Sequence, residues 1–222
     1  FGGRATGQQG RVLQQGEGHF HGSSLVGLDF FAIDHKVDVI SRQLVGLLLG
    51  IAADGGRDSA LVDYAFQHLG ALQHDIADDA VRTRVRAAFV RAAKDVGRPF
   101  AGTALYSLAD APRPTPDGDA ELRRLTLALL APGAHPLARL SAVQLAGERG
   151  YREALPAVRG ILTGDRRDAV QDIAAVGALG LIGEASDAAL VRAALNKGGS
   201  RLRPAAETAL KRIAEREGGA VK

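Results

Sequence analysis

The chain has 222 residues and a formal net charge of +3, which arises from 28 Lys and Arg against 25 Asp and Glu. It contains no cysteine, so disulfides, thiolate zinc sites, iron–sulfur clusters and a cysteine nucleophile are excluded. Acidic residues are interleaved with the basic ones along most of the chain, and this mixed pattern does not favour a nucleic-acid binder.

Residues 1–28 are rich in Gly and Gln and contain only isolated apolar side chains. Such a segment cannot bury enough apolar surface to become ordered by itself. We therefore predict an extended, flexible arm with a short strand near residues 18–20. His19 and His21 lie on one side of such a strand and could hold a metal only with a third ligand from elsewhere, so we interpret them as an incidental pair.

The start of the chain bears on its location. It begins with Phe1 and contains no Met. This beginning favours an exported protein that has lost a signal peptide, and a cytoplasmic protein is the alternative. The longest apolar run covers residues 44–53, which is much shorter than the roughly 20 residues that span a bilayer, so we predict no membrane span.

From Asp29 onward, apolar residues recur at the three- and four-residue steps of a helix. Asp58 precedes one of these periodic segments and is a predicted N-cap, and the next segment begins near Asp78. Three prolines at alternate positions exclude a helix from the loop 111–118, which is the predicted internal boundary. Five helices are predicted in this half of the chain, over about 34–53, 58–72, 78–96, 100–109 and 119–131.

An internal repeat occupies the C-terminal part of the chain. Residues 140–150 align with residues 173–183 at a shift of 33, so that Gly147 corresponds to Gly180. A further copy begins at Ser200, with a shift of 31. The pattern predicts that each unit consists of a helix, a glycine turn and a second helix.

The ends of the predicted units carry residues with special backbone roles. Gly150 and Gly183 fall where the first helix of a unit must stop, and we predict a positive φ at both positions. Asp165 and Asp168 precede the next helix, and we predict that they cap its free N–H groups.

Residues 170–184 and 202–214 share an Ala-Ala pair, an Ala-Leu pair and a following Ile. With this pattern the chain resembles the HEAT repeat family over about residues 135–217, in particular the short HEAT-like repeats first named from phycobilisome lyases. The resemblance implies an all-α solenoid, which is a superhelix of antiparallel helix pairs, used mainly for scaffolding and partner binding. Three parts result: the arm 1–28, a helical region 29–131 of degenerate repeats or a capping subdomain, and HEAT-like repeats over 135–222.

The sequence contains no nucleophile elbow, no phosphate-binding loop and no dinucleotide fingerprint. We therefore predict no catalytic, cofactor-binding or metal-binding residue, and no cofactor. The favoured function is a non-catalytic scaffold that binds another protein. Two alternatives stay open: a nucleic-acid-binding HEAT-like protein, and a chromophore lyase or isomerase, which the resemblance alone suggests.

Four arginines are the candidates for contact with a partner. Arg84 and Arg91 lie on the polar side of the third predicted helix. Arg159 and Arg192 lie one repeat apart at equivalent positions of two second helices. Equivalent residues of stacked units line one face of a solenoid, usually the concave face for second helices, and a solvated helix surface is the alternative interpretation.

Overall fold

The structure is a computed structural model that describes residues 42–112, 116–164 and 168–219. Within these ranges the protein is all-α and contains no strand, which confirms the predicted class. The described residues belong to one compact unit, Ser41–Lys222. The predicted arm, its short strand, and the histidines His19 and His21 lie outside the described residues.

Helices and short turns make up most of the described chain. Single turns of 3-10 helix precede two of the α-helices, at Arg152–Ala154 and Gly199–Arg201. No helix of the described ranges is long and apolar enough to cross a membrane. These ranges contain ten α-helices, α1 to α10 in chain order: 42–53, Ser59–Leu72, Asp79–Lys94, Ala101–Ala109, Pro116–Leu129, Pro136–Glu148, Leu155–Thr163, Ala169–Ile182, Asp187–Gly198 and Arg203–Gly219.

Aspartate caps begin three of the helices, of which the caps at Asp58 and Asp168 were predicted and the cap at Asp78 was not. One carboxylate oxygen of Asp58, of Asp78 and of Asp168 accepts from the backbone N–H groups two and three residues later, at 2.8–3.4 Å. Those N–H groups have no partner inside the helix, so each cap stabilises its helix by about 1 kcal/mol. The second predicted cap of α8, Asp165, lies outside the described residues.

The prediction that no helix forms over 111–118 is wrong at the end of that segment. Helix α5 begins at Pro116. Proline suits the first turn of a helix, because its missing N–H would have no partner there and its φ is already helical. Asp117 and Asp119 follow in the first turn, where their negative charge is favourable at the helix N-terminus.

The two turn glycines have different reasons to be glycine. Gly150 has a φ of +71°, as predicted. Gly183 has a φ of −67°, so the prediction of a positive φ is wrong there. A β-carbon at Gly183 would lie 2.4 Å from the carbonyl oxygen of Leu179. Lack of space, and not the backbone conformation, therefore excludes a side chain at this position.

We expect Gly150→Ala to lower the free energy of unfolding by about 1 kcal/mol, because alanine is strained at this φ. Urea unfolding followed by circular dichroism measures the change. Gly160→Ala is the matched control, since a β-carbon at Gly160 meets nothing within 4 Å and its helical φ is ordinary. Equal stability of Gly150→Ala and the wild type would contradict the strained backbone.

The helices pack in a regular order. Helices two places apart in the chain contact each other along the row α2, α4, α6, α8 and α10. The helix that lies between two members of this row in the sequence packs against the later one, as α7 packs against α8. One hydrophobic core runs from Val45 to Ile213. The repeat-related valines are fully buried in it: Val143, Val158, Val176 and Val191.

Glycines set the distance between successive helices of this row. A β-carbon at Gly147 of α6 would lie 3.0 Å from the Cα atom of Ala178 in α8. A β-carbon at Gly180 of α8 would lie 2.9 Å from the Cα atom of Ala209 in α10. Gly147 and Gly180 are the pair that the repeat alignment relates, so the same contact recurs at successive interfaces. The small residues allow the backbones to approach closely.

Candidate partner-binding surface

Arg159 of α7 forms an ion pair with the start of α9. Its Nε donates to Asp187 Oδ1 at 2.6 Å, and its Nη2 donates to Asp187 Oδ2 at 2.9 Å. Nη2 also donates to Glu184 Oε2 at 3.0 Å. The side chain of Asp187 is only 3% exposed, whereas that of Arg159 is 34% exposed. The predicted partner-contact residue Arg159 is thus held by an internal bidentate bond.

The two partners of this ion pair shift each other's pKa. Burial raises the pKa of Asp187, but the hydrogen bonds from Arg159 and from the backbone N–H of Glu184 outweigh it and leave the pKa below its usual value. Hydrogen bonds to the carboxylates of Asp187 and Glu184 raise the pKa of Arg159. The charge of Arg159 therefore stabilises the folded chain, and one third of its surface stays open to solvent.

Further ion pairs connect the helices on this side of the molecule. Arg86 of α3 pairs with Glu121 of α5 at 3.2 Å, and Arg152 pairs with Glu184 at 2.8 Å. Arg123 of α5 pairs with Glu153 at 3.1 Å, and its guanidinium lies over the ring of Tyr151. Successive second helices are therefore joined by ion pairs, whereas α8 and α10 combine close Gly–Ala contact with hydrogen bonds from Arg216 of α10 to carbonyl oxygens at the end of α8, such as that of Gly180 at 2.7 Å.

Arg192 of α9 has different surroundings from Arg159, although the repeat alignment makes the two positions equivalent. Its side chain is exposed, and the part of the chain that the structure describes gives it no hydrogen bond or ion pair. Arg192 does not line the groove that Arg84 and Arg91 share. The structure therefore does not bring Arg159 and Arg192 together with Arg84 and Arg91 in one site.

Arg84 and Arg91 line one groove between α1 and α3. Its volume is about 410 Å³. Both arginines are exposed, and neither has a hydrogen bond or an ion pair to a residue within the described ranges. Ala87 lies between the two arginines on α3. The opposite wall consists of small and apolar residues of α1: Gly46, Leu49, Gly50 and Ala53. We call this the α1–α3 groove.

A second cavity of about 230 Å³ adjoins the α1–α3 groove, and Arg91 and Ala53 belong to both. Its interior is apolar, with Phe66 and Phe100 whose ring centroids are 5.6 Å apart. Its rim carries paired charges. Arg57 donates to Asp54 at 3.0 Å, and Arg98 forms an ion pair with Asp95 at 3.5 Å.

Two further features were not predicted from the sequence. A cavity of about 510 Å³ lies among the ends of α7 to α10, with Asp172, Lys197 and Arg201 in its lining. Leu137 of α6 and Val170 of α8 are both more than half exposed, and they lie 33 residues apart, which is the shift of the repeat. The alignment contained this signal, because the two apolar residues occupy equivalent positions outside the buried set.

Within the described ranges, no group of three His, Asp or Glu side chains is placed to hold a metal ion. Neither the models of known protein families nor the sequences of curated proteins match this chain. The relation to HEAT repeats therefore stays a prediction that rests on the repeated residues.

Proposed function

We propose that this protein is a non-catalytic scaffold, a HEAT-like solenoid of antiparallel helix pairs that binds another protein. The observation that carries the proposal is the recurring contact of Gly147 with Ala178 and of Gly180 with Ala209. Equivalent residues at successive interfaces are expected when similar units stack along one axis. A stack of this kind uses most of its sequence for packing and offers an extended surface for a partner.

The distribution of charge supports the choice of a protein partner. Several ion pairs of the described residues join one helix to another, as Arg159 joins α7 to Asp187 of α9. Arg84 and Arg91 are different, because they line an open groove and have no partner among the described residues. Exposed arginines beside an apolar wall are typical of surfaces that bind proteins.

Affinity capture tests the proposal. The tagged full-length chain is passed over a nuclease-treated lysate of its source organism, and each retained protein is identified by mass spectrometry. We expect one protein that, once purified, binds the chain again with a fixed stoichiometry in isothermal titration calorimetry. Retention of no protein that binds again in purified form would contradict the scaffold.

Two variants and one nucleic-acid assay complete this test. We compare the affinity for the purified partner between the wild type, Arg192→Glu and the double variant Arg84→Glu/Arg91→Glu. Loss of binding in Arg192→Glu alone would assign the contact to the face of α9. A mobility shift with duplex DNA at increasing salt tests the alternative, because tight binding with a steep salt dependence would favour a nucleic-acid binder over a protein scaffold.

A further inference from the structure

We propose that the α1–α3 groove binds an acidic helix of the partner, with two carboxylates of that helix held by Arg84 and Arg91. This inference rests on the proposed scaffold function and specifies the chemistry of the partner. The groove is open, its volume is about 410 Å³, and it has a basic wall and an apolar wall.

The four arginines of α3 between residues 82 and 91 fall into two kinds. Arg82 donates to the Ala77 carbonyl oxygen at 2.9 Å, and Arg86 pairs with Glu121 at 3.2 Å. Both therefore have partners in the folded chain. Arg84 and Arg91 point into the groove and have none among the described residues. Two exposed guanidinium groups to which the described part of the chain supplies no partner are suited to bind carboxylates.

The spacing of these two arginines defines the spacing of the acidic groups. They are seven residues apart on one helix, which places them two turns and about 10 Å apart along the axis. A partner helix lying alongside α3 presents carboxylates at the same separation when its acidic residues are also seven positions apart. The partner therefore carries Asp or Glu at positions i and i+7 of one face.

The wall formed by α1 suits the approach of a helix. A β-carbon at Gly46 or at Gly50 would meet nothing within 4 Å, so the described residues leave the space above both glycines open. The two glycines are four residues apart and leave a gap along the i, i+4 row into which side chains of another helix can pack. Leu49 is partly buried in the core and offers apolar contact beside them. An apolar side chain between the two acids of the partner fills this space.

A nucleic acid fits this place less well than an acidic helix. Beyond Arg91 the second cavity carries Asp54 and Asp95 on its rim, and the arginines beside them are already paired with these acids. A continuous strand of phosphates would run from Arg84 and Arg91 into this region of balanced charge. A helix with two separate carboxylates contacts Arg84 and Arg91 and does not need to enter the second cavity, where the charges are already paired.

Fluorescence anisotropy with a synthetic peptide tests the inference. The probe is a labelled helical peptide of about 18 residues with two Glu seven positions apart and a Leu between them on the same face. The control peptide has the same composition, with its two Glu five positions apart and hence on opposite faces. We expect the full-length chain to bind the probe at least about tenfold more tightly than the control, and binding to weaken between about 50 and about 500 mM salt.

Charge-reversal variants assign the binding to the groove. We expect Arg84→Glu/Arg91→Glu to weaken binding of the probe by about tenfold or more. The matched variant Arg203→Glu/Arg212→Glu makes the same change in net charge at two exposed positions of α10 and is expected to bind normally. Far-ultraviolet circular dichroism establishes that both double variants are folded.

Three outcomes would overturn the inference. These are equal affinity for the two peptides, equal loss of affinity in the two double variants, and a single-stranded DNA oligomer that binds through Arg84 and Arg91 more tightly than the probe. If the captured protein partner still binds Arg84→Glu/Arg91→Glu at full strength, the groove is not its site, although the scaffold function stands. If no protein is captured at all, the scaffold function fails, whatever the peptide does.

Discussion

Replacing Arg159 by Met lowers the free energy of unfolding by roughly 2–4 kcal/mol, because it leaves the carboxylate of Asp187 buried without its cation. The side chain of Asp187 is 3% exposed and accepts two hydrogen bonds from Arg159. One third of Arg159 is exposed, so solvent reduces the loss below that of a fully buried pair. Urea unfolding at neutral pH measures the change.

The matched control for this prediction is Arg152→Met. Arg152 also pairs with Glu184, at 2.8 Å, but both side chains are about half exposed. An exposed pair of this kind contributes less than about 1 kcal/mol, so the control variant should remain close to the wild type. Equal losses in the two variants would show that burial of Asp187 does not determine the effect.

The Arg159→Met variant also has a characteristic pH dependence. In the wild type the pKa of Asp187 lies below its unfolded value, so its contribution to stability is present above about pH 4 and is lost as the pH falls through the lowered pKa. Without Arg159, burial raises this pKa, and protonation on acidification removes the penalty of the unpaired charge. The stability difference between the wild type and the variant therefore narrows from neutral pH to about pH 3. A constant difference over this range would contradict the role of the ion pair.

We expect Gly180→Ala to be less stable than Gly177→Ala, although both glycines belong to α8. Either substitution favours the helical state by about 1 kcal/mol over glycine. A β-carbon at Gly180 would lie 2.9 Å from the Cα atom of Ala209, whereas one at Gly177 meets nothing within 4 Å. The contact with α10 therefore makes Gly180→Ala about 1–3 kcal/mol less stable than Gly177→Ala.

Chemical unfolding of both variants tests this difference. The helix propensity gain is common to the two substitutions, so it cancels when the variants are compared with each other. The remaining difference reports the packing of α8 against α10 alone. If both variants are equally stabilised, the two backbones are farther apart than the repeated glycine contact requires.

The local features of this fold were predictable from the sequence. The caps Asp58 and Asp168 act on N–H groups two and three residues away, and the helical period is a property of neighbouring residues. The sequence did not show why position 183 requires glycine, because the space around Gly183 depends on where the chain runs after the helix ends. The sequence signal of a turn glycine is the same for a positive φ and for a lack of space.

The candidate surface was predictable only in part. Arg84 and Arg91 were identified from the helical period, and they line the same groove. The groove itself was not predictable, because it depends on how α1 packs beside α3. The pairing of Arg159 was also missed, since its acidic partners Glu184 and Asp187 follow about one repeat later in the chain. Periodicity places a side chain on a face but does not identify the charge that faces it.

The order of helix contacts has a consequence for how the chain folds. The main contacts of each helix are with helices one or two places away in the sequence, as along the row α2, α4, α6, α8 and α10. Only short segments must come together to form each interface, so the entropy lost on closing them is small. Local contacts of this kind favour folding that spreads from one helix to its neighbours, without the slow search that distant segments require.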